Sequence, residues 1–526
     1  MSGPTESRSF VHRPVVMGRK GLIAAGHHRA AEAGAEILRA GGNAMDAAVT
    51  AAAVLSVAIP HMNGLGGDAF ALWFDAKSGE TVAINGSGGA PARATIESYR
   101  AAGHAAIPQR GPLSISVPGV LDAWDASLKR FGTIPLARAL EPAIALAEEG
   151  LPLDRHQRDL LNGQAYRDLV AACPALGALY GPTAGRRLGE VVALPALAAT
   201  LRRIAKEGAD SFYRGAIGAA MTADLKAAGG ILEASDLVPH RTLMGAPLSV
   251  AFRGRRVHAN PPNTQGLALL ALLGLLDADA ATDEPFLARF MRAKEIAFAA
   301  RDRYLGDPDH SHVPDDLLTP QGLAAFARNE AGVGARGGAP AGGDTSTLVV
   351  VDGAGNAVSW VQSLFEAFGS GVASPSTGIV FHNRLSLASL APGGPNSLAP
   401  GRRPFHTLCP ALVLKDGACE FALATPGDHG QPQTLAQILV NVLNRGLDIQ
   451  EAVEAPRIRH DAGTKVMYED RLPADAVRPL SAAGYVLESV GPWSRVMGGA
   501  NAIHCLANGT RMAGADPRRA SYAITA

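Results

Sequence analysis

The sequence has few cysteines, few aromatic residues and no net charge, and these scarcities exclude several classes of protein. Its 526 residues include four cysteines without a C-x-x-C pair, which argues against a disulfide framework and a structural zinc site. Lys plus Arg and Asp plus Glu both number 48, whereas a nucleic-acid-binding protein normally carries a basic excess. We therefore expect no nucleic-acid partner. With aromatic residues at 5% and 60 glycines, the composition favours close-packed Ala-rich helices and many glycine turns.

Long apolar runs are also missing. The most apolar stretch, Ala44 to Ile59, is shorter than a membrane span, carries Asp46 and ends at Pro60, so it predicts a buried helix and no membrane partner. The first twenty residues hold charges and prolines where a signal peptide needs an apolar segment, which predicts a cytoplasmic protein. Hydrophobic residues still make up 47% of the chain, enough for a sizeable core.

Helical and strand-like patterns alternate along the chain. Residues 28–40 predict a helix, and Asn43 predicts the N-cap of the next one, with Asp46 in its first turn. From about residue 135 to 330 the pattern is mainly helical, interrupted by one predicted strand at Ser249–Ala259. Shorter strands and helices alternate after that. Mixed elements on this scale predict an α/β or α+β layered fold.

A Gly-rich segment and a hairpin follow the helical region. Gly332–Gly343 is of low complexity, which is typical of a flexible linker. The next residues predict a strand over Thr345–Asp352, a three-residue turn, and a second strand over Asn356–Leu364. In that hairpin Thr345 faces Ser363, with about 5 Å between their Cβ atoms, so the two hydroxyls come within hydrogen-bond reach. The alternative is that both are ordinary polar strand residues.

A threonine at this position suggests a specific chemistry. A Thr hydroxyl is a poor nucleophile near neutral pH, but a Thr at a free N-terminus can use its own α-amine as the base. That amine has a pKa of about 7.7–8.0, close to the working pH. Thr345 is internal, so it gains this base only if the Asp344–Thr345 bond is cut. Spacing therefore suggests, without proving, a self-cleaving chain.

Short motifs in a fixed order extend along the chain. They are Gly41–Ala48, Pro60–Asp68, Gly343–Thr347, Asp352–Val358, Gly369–Gly371, Arg403-Pro404, Lys415–Gly417, Thr425–Gly427, Ala455–Arg457 and Asp516–Arg518. In this order they resemble the gamma-glutamyltranspeptidase family of N-terminal-nucleophile hydrolases, and the resemblance covers nearly the whole chain.

The resemblance implies a fold and a site. The fold would be α+β, a four-layer αββα sandwich. A cut before the nucleophile Thr345 would give a large subunit, residues 1–344, and a small catalytic subunit, residues 345–526, which stay intertwined in one compact body. Ser363 would support the nucleophile, and the backbone N–H groups of Gly427 and Asp428 would form the oxyanion hole, with Asp428 standing where the family has Gly. No metal or organic cofactor is implied.

The pocket departs from the family pattern. The resemblance aligns five substituted positions with the family's glutamyl contacts, and these are our predicted substrate-binding residues: Ser87, Phe365, Arg384, His406 and Thr407. Ser87 replaces an Arg that would hold the glutamate carboxylate. Arg384 adds a guanidinium that can clamp a carboxylate with two hydrogen bonds. These changes favour a small amide that carries a carboxylate.

Three functions remain open at this point. The sequence is most similar to an oxamate amidohydrolase subgroup, which implies hydrolysis of oxamate to oxalate and ammonia in purine-nitrogen salvage. A gamma-glutamyltransferase or glutathione hydrolase, or a cephalosporin-type acylase with an atypical pocket, is the first alternative. An unprocessed, non-enzymatic binding protein is the second. Arg110 is a further candidate anion ligand, and His429 beside Asp428 is a weak candidate for a metal ligand.

Overall fold

The computed structural model describes residues 12–278, 284–330 and 343–526. The predicted linker Gly332–Gly343 lies outside these residues, except for Gly343, which begins a strand. Within the described ranges, none of the helices combines the length and apolarity that crossing a bilayer needs.

Two antiparallel sheets stack face to face at the centre. The first has the strand order Tyr522–Thr525, Leu22–Ala25, Gly343–Val351, Ala357–Glu366, Asp68–Phe74, Thr81–Gly86 and Leu243–Gly245. The second has the strand order Val16–Gly18, Arg511–Ala515, Asn501–Cys505, Ala418–Ala424, Ala411–Lys415, Arg255–Ala259 and Leu248–Phe252. Apolar side chains of both sheets, such as Leu72, Val349, Leu412 and Ile503, meet in the layer between them.

Helices cover the outer face of each sheet. A first helical layer packs on the Gly343–Val351 sheet: His28–Arg39, Ala44–Ala58, Val120–Phe131, Leu136–Glu149, Pro195–Glu207 and Ala216–Ala227. A second packs on the other sheet: Gly266–Ala278, Phe286–Tyr304, Gln431–Arg445, Ile449–Glu454 and Ala474–Ala482. The predicted αββα sandwich is therefore confirmed.

Shorter elements fill the connections. The remaining α-helices are Ile96–Ala101, Arg155–Leu161, Gln164–Ala172, Pro174–Tyr180, Asp210–Tyr213, Ala234–Leu237 and Pro320–Glu330. The small sheets pair Leu151–Pro152 with Val191–Val192, pair Ala373–Ser374 with Ile379–Val380, and join Ile458–His460, Lys465–Tyr468 and Val486–Ser489.

The predicted single strand at Ser249–Ala259 is wrong. The structure has a hairpin there, with Leu248–Phe252 paired to Arg255–Ala259. Its turn holds Arg253 at φ 51° and Gly254 at φ 71°, a left-handed pair that reverses the chain in two residues. In the sequence, Gly254 is the residue that indicates a turn, but the arginines on either side of it are compatible with one continuous strand.

The helix Ala44–Ala58 begins as predicted, at a capping box formed by Asn43 and Asp46. The buried Asp46 carboxylate also accepts hydrogen bonds from the Thr133 hydroxyl and from the backbone N–H groups of Thr133 and Ile134. It therefore joins the helix start to the loop before the helix Leu136–Glu149.

Asp46→Ala is expected to lower the free energy of unfolding by about 3 kcal/mol, because it leaves several buried donors without acceptors. Urea unfolding measures this change. Asp75→Ala is the matched control, since Asp75 also accepts backbone N–H groups, from Lys77 and Ser78, but in an exposed turn. We expect that control to cost about 1 kcal/mol or less. Equal losses in the two variants would contradict the structural role of Asp46.

Candidate active site

The predicted hairpin lies at the middle of the first sheet. We call Gly343–Val351 the nucleophile strand and Ala357–Glu366 its partner strand. They pair in the predicted register from Ser346 opposite Gln362 onward to the turn. Between Asp344 and Ser346 the register shifts, so Asp344 lies opposite Phe365 and Thr345 faces a bulge of two residues, Ser363 and Leu364, on the partner strand. The chain runs through the Asp344–Thr345 bond as continuous strand.

The bulge places Thr345 in a short relay of hydrogen bonds. Its hydroxyl donates to Ser363 Oγ over 3.1 Å. The Ser363 hydroxyl donates in turn to the Asp344 carbonyl oxygen over 2.9 Å, and Ser363 Oγ also accepts the backbone N–H of Phe365. The polarised carbonyl is that of the bond that would be cut. Ser363 thus connects the Thr345 hydroxyl to the carbonyl of the predicted cleavage bond.

The Asp344 side chain points to a basic cluster. Arg519 Nη1 lies 2.7 Å from Asp344 Oδ1. Burial alone would raise the pKa of Asp344, but the charges of Arg519 and Arg495 outweigh it and hold that pKa below its usual range. A cavity of about 20 Å³ beside them is lined by Thr345, among others, and has room for about one water molecule.

Asn63 holds the start of the nucleophile strand through a side-chain hydrogen bond. Its side-chain amide donates to Ser346 Oγ over 2.9 Å and to the carbonyls of Leu55 and Ile59, and it accepts from Gln362. The motif Pro60–Asp68 therefore supports the strand that carries Thr345.

Gly427 and Asp428 lie beside the nucleophile strand. A Cβ atom added at Gly343 would lie only 2.9 Å from the Cβ of Asp428, which shows how closely the two segments approach. Gly427 has φ 126°, a conformation that favours glycine. Both carboxylate oxygens of Asp428 are buried without a hydrogen-bond partner among the described residues, and burial raises the pKa of this carboxyl to about 7.

Arg384, Phe365 and Thr407 come together as one group. The Arg384 guanidinium is fully buried, lies 4.4 Å above the Phe365 ring and donates to Thr407 Oγ1 over 3.1 Å. Burial lowers its pKa to about 10, so it stays charged. Within the described residues its Nε and Nη2 have no hydrogen-bond partner. Such buried, unused donors are suited to an anion that the protein itself does not supply.

His406 contacts the carboxylate of Asp68. Its Nε2 lies 3.1 Å from Asp68 Oδ2, and His382 Nε2 lies 3.9 Å from the same oxygen. Burial raises the pKa of Asp68 to about 7 and lowers that of His406 well below its usual value. Sequence reasoning missed the role of Asp68 as a partner, because the two histidines are distant from it along the chain.

The other predicted candidates are held by neighbouring groups. The Ser87 hydroxyl donates to Asn85 Oδ1 over 2.6 Å, and Asn263 donates to Ser87 Oγ. Arg110 pairs with Glu366 at 2.9 Å and donates to loop carbonyls, so it is a structural residue. His429 Nδ1 lies 3.0 Å from Arg301 Nη1, a cation that disfavours a metal ion there.

Comparisons with known proteins agree with this geometry. The family model for gamma-glutamyltranspeptidase matches residues 30–526. An oxamate amidohydrolase proenzyme from Klebsiella pneumoniae is 36% identical, over 95% of this chain and 97% of its own. A glutathione hydrolase-like YwrD proenzyme from Bacillus subtilis is 35% identical, over 97% and 99%. The crystal structure of a cephalosporin acylase from Bacillus halodurans superposes with a TM-score of 0.91 at 33% identity, over 100% and 99%.

These relatives match nearly the whole length of the chain, the cephalosporin acylase shares its fold, and their names denote action on amide C–N bonds. The predicted enzyme class is therefore confirmed. This chain belongs to the gamma-glutamyltranspeptidase family of N-terminal-nucleophile hydrolases.

Proposed function

We propose that this protein is a self-processing N-terminal-threonine amidohydrolase that acts on a small carboxylate-bearing amide, with oxamate as the leading substrate. The observation that carries the proposal is the relay from the Thr345 hydroxyl through Ser363 to the Asp344 carbonyl. It places a nucleophile, a proton acceptor and a polarised carbonyl together in one buried hairpin. Cleavage there would produce the pieces 1–344 and 345–526.

Self-cleavage would proceed by an acyl shift. Thr345 Oγ1 attacks the Asp344 carbonyl carbon and passes its proton to Ser363 Oγ. The C–N bond breaks, an ester forms between Asp344 and the Thr345 oxygen, and the Thr345 nitrogen takes up a proton. Water then hydrolyses the ester. The products are an Asp344 carboxylate and a Thr345 with a free α-amine, the base that the nucleophile lacked.

Turnover would use the same oxygen. The Thr345 hydroxyl attacks the substrate amide while the α-amine accepts its proton, and the backbone N–H groups of Gly427 and Asp428 stabilise the oxyanion. Ammonia leaves with the proton returned by the amine, and water releases the acid from the acyl-Thr345 ester. Every proton in this scheme moves between groups of the chain, the substrate and water, so the scheme calls for no cofactor.

Arg384 supports an anionic substrate. It is charged and buried, and two of its donor nitrogens are unused. The Arg384 guanidinium lies over the ring of Phe365. Phe365 belongs to the partner strand, two residues after Ser363, so the Arg384 guanidinium lies close to the relay. The similarity to the Klebsiella oxamate amidohydrolase supports the same assignment.

A gamma-glutamyl or acylase activity is the second candidate. The unpaired carboxylate of Asp428 favours it, since this group could pair with a substrate ammonium. Glutathione hydrolases at 27% identity and acylases at 34% identity are also among the relatives.

The two functions are separated by a paired assay on processed enzyme. Ammonia release from oxamate is measured beside anilide release from a gamma-glutamyl anilide, under the same conditions. We expect oxamate to give a kcat/KM at least about tenfold higher, because the glutamyl-binding Arg is replaced by Ser87. Preferential turnover of the anilide would refute the pocket assignment.

Arg384→Gln tests whether Arg384 binds the substrate carboxylate. It should raise KM for oxamate about 10- to 100-fold, the loss expected for charge-assisted hydrogen bonds of about 1.5–3 kcal/mol. Arg384→Lys keeps the charge and should recover part of the loss, whereas a purely structural role would give no such partial recovery.

A further inference from the structure

A second cationic site lies beside Thr345. We call Arg519, Arg495, His61 and His156 the Arg519 cluster. Arg519 binds the Asp344 carboxylate at 2.7 Å, and one ligand atom from each of His61, His156 and Asp344 lies within 4.8 Å of the others. The cavity lined by Thr345 is bounded by all four members of the cluster, and none of its lining residues belongs to the Arg384 group.

Two acids face the cluster: Asp344, which pairs with Arg519, and Asp154, which lines the same cavity. Burial lowers the pKa of His61 to about 3 and that of His156 to about 4, so both imidazoles are neutral at pH 7. Arg495, with a pKa of about 10, and Arg519 carry the positive charge. Asp344 pairs directly with Arg519, and Asp154, which lines the same cavity, acts on Arg495. Several nitrogens have no hydrogen-bond partner among the described residues, namely Nε2 of both histidines and Nε of Arg519.

Cleavage would change this balance. Asp344 becomes the last residue of the large piece, and it is the acyl group that Thr345 transfers to water. When Asp344 leaves, the buried Arg519 guanidinium loses its paired anion while Asp154 remains near Arg495, and removing one partner of a buried ion pair is strongly unfavourable. The vacated site would therefore attract another anion. Two arginines disfavour a metal ion at the histidines for the same electrostatic reason.

We propose that the Arg519 cluster is a carboxylate subsite for the acyl part of the substrate, and that Asp344 is its first occupant. This inference rests on the proposed function, since it requires cleavage before Thr345. In Asp344 two carbons separate the carboxylate carbon from the reacting carbonyl carbon. The same spacing occurs in succinamate. The substrate class that fits is therefore the monoamides of four-carbon dicarboxylic acids, alongside oxamate at Arg384.

The chemistry is that of the main reaction. Thr345 Oγ1 attacks the succinamate amide carbon, the C–N bond breaks, and ammonia leaves with the proton taken up by the α-amine. Water hydrolyses the succinyl ester and releases succinate. Throughout, the distal carboxylate would remain on Arg519, as the Asp344 side chain does before the cut.

The test compares succinamate with butyramide, an uncharged amide of similar size. On processed enzyme, Arg519→Gln is expected to raise KM for succinamate at least tenfold and to leave butyramide within about twofold. Arg519→Lys should recover part of the loss. Arg255→Gln is the matched control, because Arg255 is another largely buried arginine paired with a carboxylate, Glu420, away from the cluster. Equal effects on both amides, or no turnover of succinamate by the wild type, would overturn the inference.

If Arg519→Gln is not cut, its turnover cannot be measured, and succinate binding tests the subsite instead. Calorimetry measures succinate binding to processed wild type and to uncut Thr345→Ala, whose site still holds Asp344. We expect at least tenfold weaker binding to the uncut chain, and equal or absent binding to both would overturn the inference. Oxamate turnover by the wild type is measured separately. If the wild type does not hydrolyse oxamate, the proposed function is contradicted. If it hydrolyses oxamate but does not bind succinate, only the subsite is contradicted.

Discussion

Thr345→Ala is expected to yield a single uncut chain of 54.1 kDa and to reduce amide hydrolysis by at least about 10⁴-fold. The variant removes the oxygen that attacks both the Asp344 carbonyl and the substrate. Alanine fits the buried strand without new contacts, so the fold should remain. A denaturing gel with intact-mass measurement reports the cut, and ammonia release reports the activity.

Two further variants make this result specific. Thr347→Ala removes a buried hydroxyl from the same strand, one that accepts a hydrogen bond from Asn501, and it should still be cut into two pieces. Thr345→Ser keeps a hydroxyl and should restore cutting, at a lower rate. If Thr345→Ala were cut normally, Thr345 would be excluded as the nucleophile. A fully active wild type found uncut would contradict the requirement for a free α-amine.

The local part of this site was predictable because the hairpin is short. A three-residue turn sets the pairing of its strands, so facing residues follow from counting along the chain. The structure keeps that register from Ser346 to the turn and brings the Thr345 and Ser363 hydroxyls to 3.1 Å. The capped helix start at Asn43 was predictable for the same reason, since caps are set by neighbouring residues.

Features that depend on distant residues were not predictable. The bulge opposite Thr345 adds a residue to the partner strand only, and no residue in the hairpin signals it. The Arg519 cluster draws His61 from the turn after the helix Ala44–Ala58, His156 from the short helix Arg155–Leu161, and the two arginines from near the C-terminus, so only the fold shows that they meet. Asp68 gained its histidine partners in the same way. The family resemblance identified Arg384 as a candidate ligand. Only the structure shows that its Nε and Nη2 have no hydrogen-bond partner among the described residues.

The fold explains why the nucleophile strand can hold a buried reaction site. It lies inside a sheet, with Leu22–Ala25 on one side and the partner strand on the other. Helices cover one face and the second sheet covers the other, so water is largely excluded from the relay. A cut on this strand therefore leaves both pieces held by neighbouring strands and by packing. This supports the proposal that the two pieces stay together as one body.

Ser363→Ala is expected to slow the Asp344–Thr345 cut by about 10²-fold, the loss typical of removing one donor to a developing oxyanion. The variant deletes the hydroxyl that donates to the Asp344 carbonyl and accepts from Thr345. The nucleophile and the scissile bond both remain, so the cut should slow rather than stop. A time course of the two pieces on a denaturing gel, starting from freshly synthesised chain, measures the rate.

Ser359→Ala is the control that separates this effect from a loss of packing. Ser359 lies four residues earlier on the partner strand, is fully buried, and donates to the Leu423 carbonyl over 2.7 Å. Both variants lose a buried hydroxyl, so similar losses in the free energy of unfolding are expected, of about 1–3 kcal/mol. Only Ser363→Ala should slow the cut. If Ser359→Ala slowed it equally, the delay would come from a weakened strand, and Ser363 would have no direct part in the attack on Asp344.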